Sequence, residues 1–243
     1  MVELMEISEM RRLAAVKGIS LNYIAKDEMI SRALFQLQGQ TNIIFKGGTA
    51  INRVYIKNKR FSEDIDLDFI SEATVREALP KTSQIISSIK GFQIARPRIM
   101  KSTIRYDLFY QNPLNHKDKI RIEFNVIKKA ARHSSKIINY GYVPFDSSLM
   151  ATYDIDEFIR QKIGCVLGRM EGKDLFDLYH LLKLNKSSIS IQKETKNELI
   201  KRITLDDKSI SSIANSTNHY IPKDSRPKWQ MFIQELKEMI MLL

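Results

Sequence analysis

The amino-acid sequence predicts an α/β protein, in the α+β sense: a small mixed β-sheet flanked by helices, followed by a helical C-terminal half. Three observations carry this reading. Apolar residues recur at helical spacing over residues 21–38. The period drops to two in Asp64–Ile70 and again between Phe92 and Ile127. Helical spacing then returns after Pro144.

Each element has its own local reason. Residues 6–17 and 21–38 read as amphipathic helices, with Gly18 as the stop between them. Leu21, Ile24, Ile30, Ala33, Leu34 and Leu37 share one face of the second. Asn42–Phe45 is a short apolar run that enters Lys46-Gly47-Gly48, a strand reaching a tight turn. Thr49 is then expected to cap a helix running to about Ile56. Asp64–Ile70 alternates acid and apolar side chains, as a strand with one polar face does. Residues 73–90 read as a helix with Pro80 as a candidate break. Phe92–Ile127 holds two or three strands, and another is expected near 136–143. Helices follow at about 155–169, 174–184, 190–203 and 229–242; Leu205–Lys228, rich in Ser and Asn, is the loosest segment. No internal repeat or low-complexity tract is present. Residues 1–145 are expected to hold the N-terminal helices and the core of the fold, and 146–243 a helical domain.

Composition excludes several classes. The 243 residues are 43% hydrophobic and 28% charged, ordinary for a globular chain able to bury a sizeable core. A single cysteine, Cys165, rules out an internal disulfide framework and is compatible with a reducing cytosol. No apolar stretch is long enough to span a membrane, and the acidic N-terminus lacks an export signal, so a cytoplasmic protein is expected. The net charge of +11 is unevenly placed. Residues 1–80 carry 11 basic and 11 acidic side chains, whereas residues 81–136 carry 13 and 3. A basic block of this density favours a polyanionic partner, and Arg96, Arg98, Lys101, Arg105, Lys117, Lys119 and Arg121 form a stripe suited to a nucleic-acid backbone.

The chemistry concentrates in one place. Asp64, Asp66 and Asp68 lie on one face of one predicted strand, where they repel unless a cation neutralises them. Mg²⁺ prefers oxygen ligands and takes one or two carboxylates together with substrate phosphates. Fifteen residues upstream, Gly47-Gly48-Thr49 opens a helix, and such a terminus offers free N–H groups to a phosphate. A third acid is available at Glu123, on the same face as Lys119 and Arg121. Its alternative role is a cross-strand ion pair with Arg105. The four histidines show no metal-ligand spacing, and Cys165 reads as buried and inert.

Phe45-Lys46-Gly47-Gly48-Thr49-Ala50 with Arg60-Phe61-Ser62-Glu63-Asp64-Ile65-Asp66-Leu67 resembles the AbiEii/AbiGii-type nucleotidyltransferase family, toxins of type IV toxin–antitoxin and phage-defence pairs related to the MenT toxins. Ile24–Glu28 and Arg32–Leu34 resemble its N-terminal helix, and Lys162 with Gly172–Tyr179 its late segment, so the resemblance covers about residues 10–185. It implies a DNA polymerase β-like fold and transfer of a nucleotide from a nucleoside triphosphate. Asp64, Asp66 and Glu123 would hold two Mg²⁺ ions. Gly47, Gly48, Thr49 and Lys162 would contact the phosphates, and Asp174 would orient Lys162 or act as a helix cap. From the residues themselves, Lys46 reads as a phosphate contact or a strand-end cation, Ser62 as a phosphate contact or a turn cap, and Lys162 alternatively as a stripe-edge lysine covering apolar surface. By likeness to the MenT branch the acceptor is the 3′ end of tRNA, and a cognate antitoxin is expected. The chain departs from the family in carrying Lys173 where Arg is common before the late Asp. Two other readings stand beside this one: a catalytically silent RNA-binding module, and transfer to a small molecule.

Overall fold

A computed structural model of the chain describes residues 4–112, 114–146, 148–185 and 189–243; the start of the acidic N-terminus, residues 1–3, lies outside them. The chain divides into two units, Met1–Asp154 and Ile155–Leu243. All strands among the described residues belong to the first. The division falls after Asp154, beyond the expected 145, since residues 148–153 form a strand of the first unit's sheet.

Helix α1 (Ile7–Lys17) ends at Gly18, whose left-handed φ of 59° returns its N–H to the last carbonyls. Helix α2 (Leu21–Leu37) is capped by the Ser20 side chain, and its predicted apolar face from Ile24 to Leu37 is buried. Strand β1 (Ile43–Lys46) turns directly into α3 (Gly47–Ala50), which widens into a π-turn at Ile51–Tyr55. Strand β2 (Asp64–Ile70) precedes α4 (Val75–Ser87), which a Thr74–Glu77 capping box starts. Pro80 does not break α4: it is exposed, so water can reach the Arg76 carbonyl it leaves unbonded. Short strands β3 (Gln93–Ile94) and β4 (Arg98–Ile99) lead to β5 (Thr103–Gln111), β6 (Lys117–Ile127), β7 (His133–Ile138) and β8 (Ser148–Tyr153).

The sheet runs β3-β5-β6-β2-β1-β8-β7, with β4 also on β5. β2 is parallel to β6 and antiparallel to β1, while β1 is parallel to β8. Alternation then sorts the side chains. Ile65, Leu67 and Phe69 join Ile120, Ile122 and Phe124, and Ile104, Tyr106 and Leu108, on one face. The Tyr106 hydroxyl meets Thr82 and Ser83 of α4 at 2.8 and 2.9 Å, so α4 covers this face. α2 lies on the same side, where Lys26 reaches Asp118, a face-mate of Ile120, at 3.5 Å. Every acid of β2 therefore points the other way.

Strand β8 stands where a helical pattern was expected after Pro144. The apolar Leu149, exposed on its outer side, hides the alternation, but Thr152 fixes the strand by donating to the Phe45 carbonyl at 2.6 Å. The second unit consists of α5 (Ile155–Gly168), α6 (Gly172–Leu184), α7 (Lys193–Arg202), α8 (Asp207–Thr217) and α9 (Trp229–Met241), with short 3₁₀ turns. Helix α8 overturns the reading of 205–228 as loose. Asp206 caps it, accepting from the Ser209 N–H at 2.8 Å, and its Ser and Asn residues lie largely outward. A Cβ at Gly172 would sit 2.0 Å from Thr217 Oγ1, so this glycine permits the close crossing of α6 and α8.

One buried ion pair ties α2 to the π-turn. Arg53 Nη2 lies 2.6 Å from Asp27 Oδ1, and Gly141 packs so close that a Cβ there would be within 2.9 Å of both side chains. Burial pushes the Asp27 carboxyl upward against the pull of Arg53. Arg53→Met, which strands that acid, is expected to lower unfolding stability by about 3–5 kcal/mol in urea titrations. Asp27→Asn on the Arg53→Met background should recover part of the loss.

Candidate active site

The glycine turn and the acidic strand meet by direct contact. Gly47 has a φ of 72°, and a Cβ built on it would fall 2.1 Å from Asp66 Oδ2. No side chain fits there, and the left-handed backbone independently selects glycine. The register is the cause: antiparallel pairing sets Lys46 opposite Asp66, which brings the carboxylate over the turn. At Gly48 a Cβ would be 2.4 Å from Arg60 Nη2 and 3.3 Å from Ser62 Oγ. Asn52 locks the turn, donating to the Gly48 carbonyl at 2.8 Å and accepting the Arg60 N–H at 3.2 Å. Thr49 does not cap a helix. It is buried, and its hydroxyl donates to the Asp64 carbonyl, which fixes the start of β2 to the turn.

Across the same sheet face, acids and cations form rows. Asp64 pairs in register with Arg121 and then Asp107; Asp66 pairs with Glu123 and then Arg105; Asp68 pairs with Asn125. Arg121 Nη1 is 3.4 Å from Asp64 Oδ2. Glu123 Oε1 accepts from Arg105 Nε at 2.8 Å and lies 3.9 Å from Arg121 Nε, so the cross-strand ion pair is present. Burial raises the Asp64 carboxyl above its ordinary range; Arg121 opposes the rise, and the neighbouring charges of Glu63 and Glu123 add to it.

Asp68 is set apart from the other two. It is buried and bound by Lys46 at 2.5 Å, by Asn125 at 2.9 Å and by the Tyr153 hydroxyl. Lys46 thus serves as the cation at the strand end, beside the acid farthest along β2.

Among the described residues no group of three or more acids, histidines or cysteines is gathered ready to hold a metal ion. The donors nevertheless suit a hard divalent cation. They are oxygens only and they stand on adjacent strands; Arg105 and Arg121, now paired with Glu123 and Asp64, would have to turn aside for it. Of the basic stripe, Arg105, Lys119 and Arg121 lie within this face and pair with its acids, the exposed Arg98 also approaches Asp107, and Arg96, Lys101 and Lys117 are exposed. Arg60 was legible only as part of a motif; its burial against Gly48 makes it a further cation of the turn.

The second unit holds its own cluster. Lys162, in the apolar stripe of α5, is buried and lies 2.9 Å from Asp174 and 2.8 Å from Asp177. Arg169 adds a two-point contact to Asp174 at 2.8 and 3.0 Å. Burial opposes ionisation of Asp174, but the bonds from Arg169 and Lys162 prevail and hold its carboxyl at about 2. Asp177 shares Lys162 equally with Asp174. The half-buried Cys165 beside this cluster has its thiol pushed up by burial and by Asp174, which keeps it protonated.

Residues 30–242 match the sequence profile of a family described as nucleotidyl transferase AbiEii toxin, type IV TA system. The match runs through the helices beyond residue 185, where the motif resemblance ended. No curated protein matches the chain. Solved structures with a similar fold include MenT4, a nucleotidyltransferase toxin of Mycobacterium tuberculosis H37Rv (15% identity, TM-score 0.61, 99% of this chain and 91% of that one). A protein from H. pylori assigned provisionally to the nucleotidyltransferases is 19% identical, with a TM-score of 0.60, over 89% of this chain and 92% of its own. An antigenic nucleotidyltransferase-like protein of Paracoccidioides brasiliensis is 15% identical, with a TM-score of 0.51, over 83% and 96%.

Two outcomes are expected of this geometry. Gly47→Ala should cost about 1–3 kcal/mol of stability in denaturant titrations, because its Cβ is both strained and in contact with Asp66. Asp64→Asn should be more stable than wild type at neutral pH. A raised carboxyl is a stabilising group below its unfolded pKa and loses that contribution as pH rises through the folded one. The advantage of the amide should therefore shrink as thermal unfolding is followed down into the carboxylate range.

Proposed function

The chain belongs to the AbiEii nucleotidyltransferase toxin family of type IV toxin–antitoxin systems, and from the geometry of its acidic sheet face we propose that it is a Mg²⁺-dependent enzyme that transfers a nucleoside monophosphate to a hydroxyl of RNA, foremost the 3′ end of tRNA. Membership implies a nucleoside triphosphate substrate and an antitoxin partner, and the family generally uses a divalent metal. No helix among the described residues is long and apolar enough to cross a membrane. In this reading the enzyme works in the cytoplasm, where its acceptor is found, and can serve in phage defence.

The observation that carries the reading is the close approach of Asp66 to Gly47: it puts the carboxylate over the glycine turn, with Glu123 in register beside it. Asp64, Asp66 and Glu123 are the residues that would hold the metal. Bound there, Mg²⁺ would acidify the attacking hydroxyl and neutralise the departing phosphates. The backbone of Gly47, Gly48 and Thr49, with Ser62 and Arg60, would receive the triphosphate. The acceptor oxygen bonds to the α-phosphorus, the bond from that phosphorus to the bridging oxygen of the β-phosphate breaks, and pyrophosphate leaves. The hydroxyl proton passes to a carboxylate oxygen of Glu123. Arg105, released from Glu123, and Arg121 can then turn to the phosphates, which gain charge-assisted bonds. In the second unit, Asp174 and Asp177 hold the position of Lys162.

A second reading draws on the same rows: arginines that already neutralise the acids suit a silent RNA-binding module. One assay separates the two. The protein is incubated with total RNA, Mg²⁺ and each α-labelled nucleoside triphosphate in turn. Label is expected in RNA, with a drop of at least about 100-fold in Asp66→Asn, of the size found when a group that stabilises the transition state is removed. Salt-sensitive RNA binding with no label transferred by wild type would establish the module instead.

A further inference from the structure

Phe109 is out of place on the charged face. It points the same way as Arg105 and Asp107 of β5, and so shares the side of the sheet that carries Asp64 and Asp66. It is 39% exposed, beside the charged side chains of Asp107 and Lys119. Lys119, its register partner on β6, has Nζ 5.7 Å from the ring centroid and 2.8 Å from Asp107 Oδ2. Gln93 flanks the ring from β3, and the exposed Arg98 approaches Asp107 at 3.9 Å. An open aromatic ring, bordered by an ammonium held by Asp107 and an exposed guanidinium, has the composition that binds single-stranded nucleic acid: a base stacks on the ring and the cations take the backbone.

The placement is as informative as the chemistry. Two strand spacings, roughly 10 Å, and one side-chain repeat separate Phe109 from Asp64. A base on Phe109 therefore belongs to a nucleotide close to the reacting hydroxyl. The positive excess of residues 81–136 continues outward from this point through Arg96, Arg98 and Lys101.

We infer that Phe109 and Lys119 form a stacking platform for an unpaired base of the RNA acceptor, so that the enzyme requires a single-stranded end rather than a paired one. This rests on the RNA acceptor proposed above. Phe109 is a positioning residue here; it takes no part in the bond changes.

The test measures binding and transfer separately. Fluorescence anisotropy is read for a short 5′-labelled single-stranded RNA and for a blunt duplex, with wild type, Phe109→Ala and Phe109→Trp. Phe109→Ala is expected to weaken single-strand binding by about 5- to 100-fold, the range for loss of one stacked base, while leaving the weaker duplex binding unchanged. Phe109→Trp is expected to restore it. Thermal unfolding of each variant shows that an exposed ring is dispensable for folding. Equal single-strand affinity in Phe109→Ala and wild type would overturn the platform. So would a loss confined to binding of a fluorescent nucleoside triphosphate, which would assign the ring to the incoming nucleotide. Phe109-dependent binding without label transfer would keep the platform and remove the enzymatic reading; transfer with Phe109-independent RNA binding would do the reverse.

Discussion

The space that a Cβ would occupy at Gly47 is filled by the Asp66 carboxylate, and the geometry of the site descends from that substitution of one group for another. The close approach sets the spacing between the end of β1 and the middle of β2. It places Asp66 over the turn, and the parallel register with β6 then carries the alignment across to Glu123. Thr49 and Asn52 spend their polar groups on backbone atoms of β2 and of the turn, so the loop from residue 47 to residue 64 is held at both ends. A chemical site built this way sits on rigid strands, and its precision comes from the sheet rather than from loop closure.

Charge balance on the sheet face follows a different logic from stability. Asp68 has three polar partners and is buried, as a structural carboxylate should be. Asp64 has a single longer contact, is more exposed, and keeps a carboxyl that burial and nearby acids make reluctant to ionise. Two acids on one strand, two residues apart on either side of Asp66, are thus given opposite environments. The one left under-neutralised is the one with something to gain from an additional cation.

The parts of the fold set by periodicity were legible in the sequence, and the parts set by contact were not. The alternation of Asp64–Ile70 and the stripe of α2 announced their own burial. The acids' common face followed from spacing alone. What could not be read was partnership. Lys46 goes to Asp68 because β1 and β2 pair with a particular register, and no local pattern encodes a register. The bond of Asp177 to Lys162 has no local signal either, since the lysine lies on another helix. Helix α8 was missed because its polar outer face looks like a loop, although the cap at Asp206 was there to be found. Strand β8 was missed because its outward Leu149 blurs a pattern only six residues long. The family match reached residues that no motif had marked, through the helices beyond residue 185.

The position of β8 has a consequence for synthesis. β1 lies between β2, which follows it closely in the chain, and β8, whose Thr152 binds the Phe45 carbonyl from more than a hundred residues downstream. A ribosome translating this message has long since released the Gly47 hairpin when the strand that shields its open flank is still being decoded. Non-local closure of this kind is slow, and an uncovered strand is a point of mispairing. The nascent toxin is therefore an unfinished object through most of its own translation, and completes its acidic sheet only after Tyr153 has left the exit tunnel.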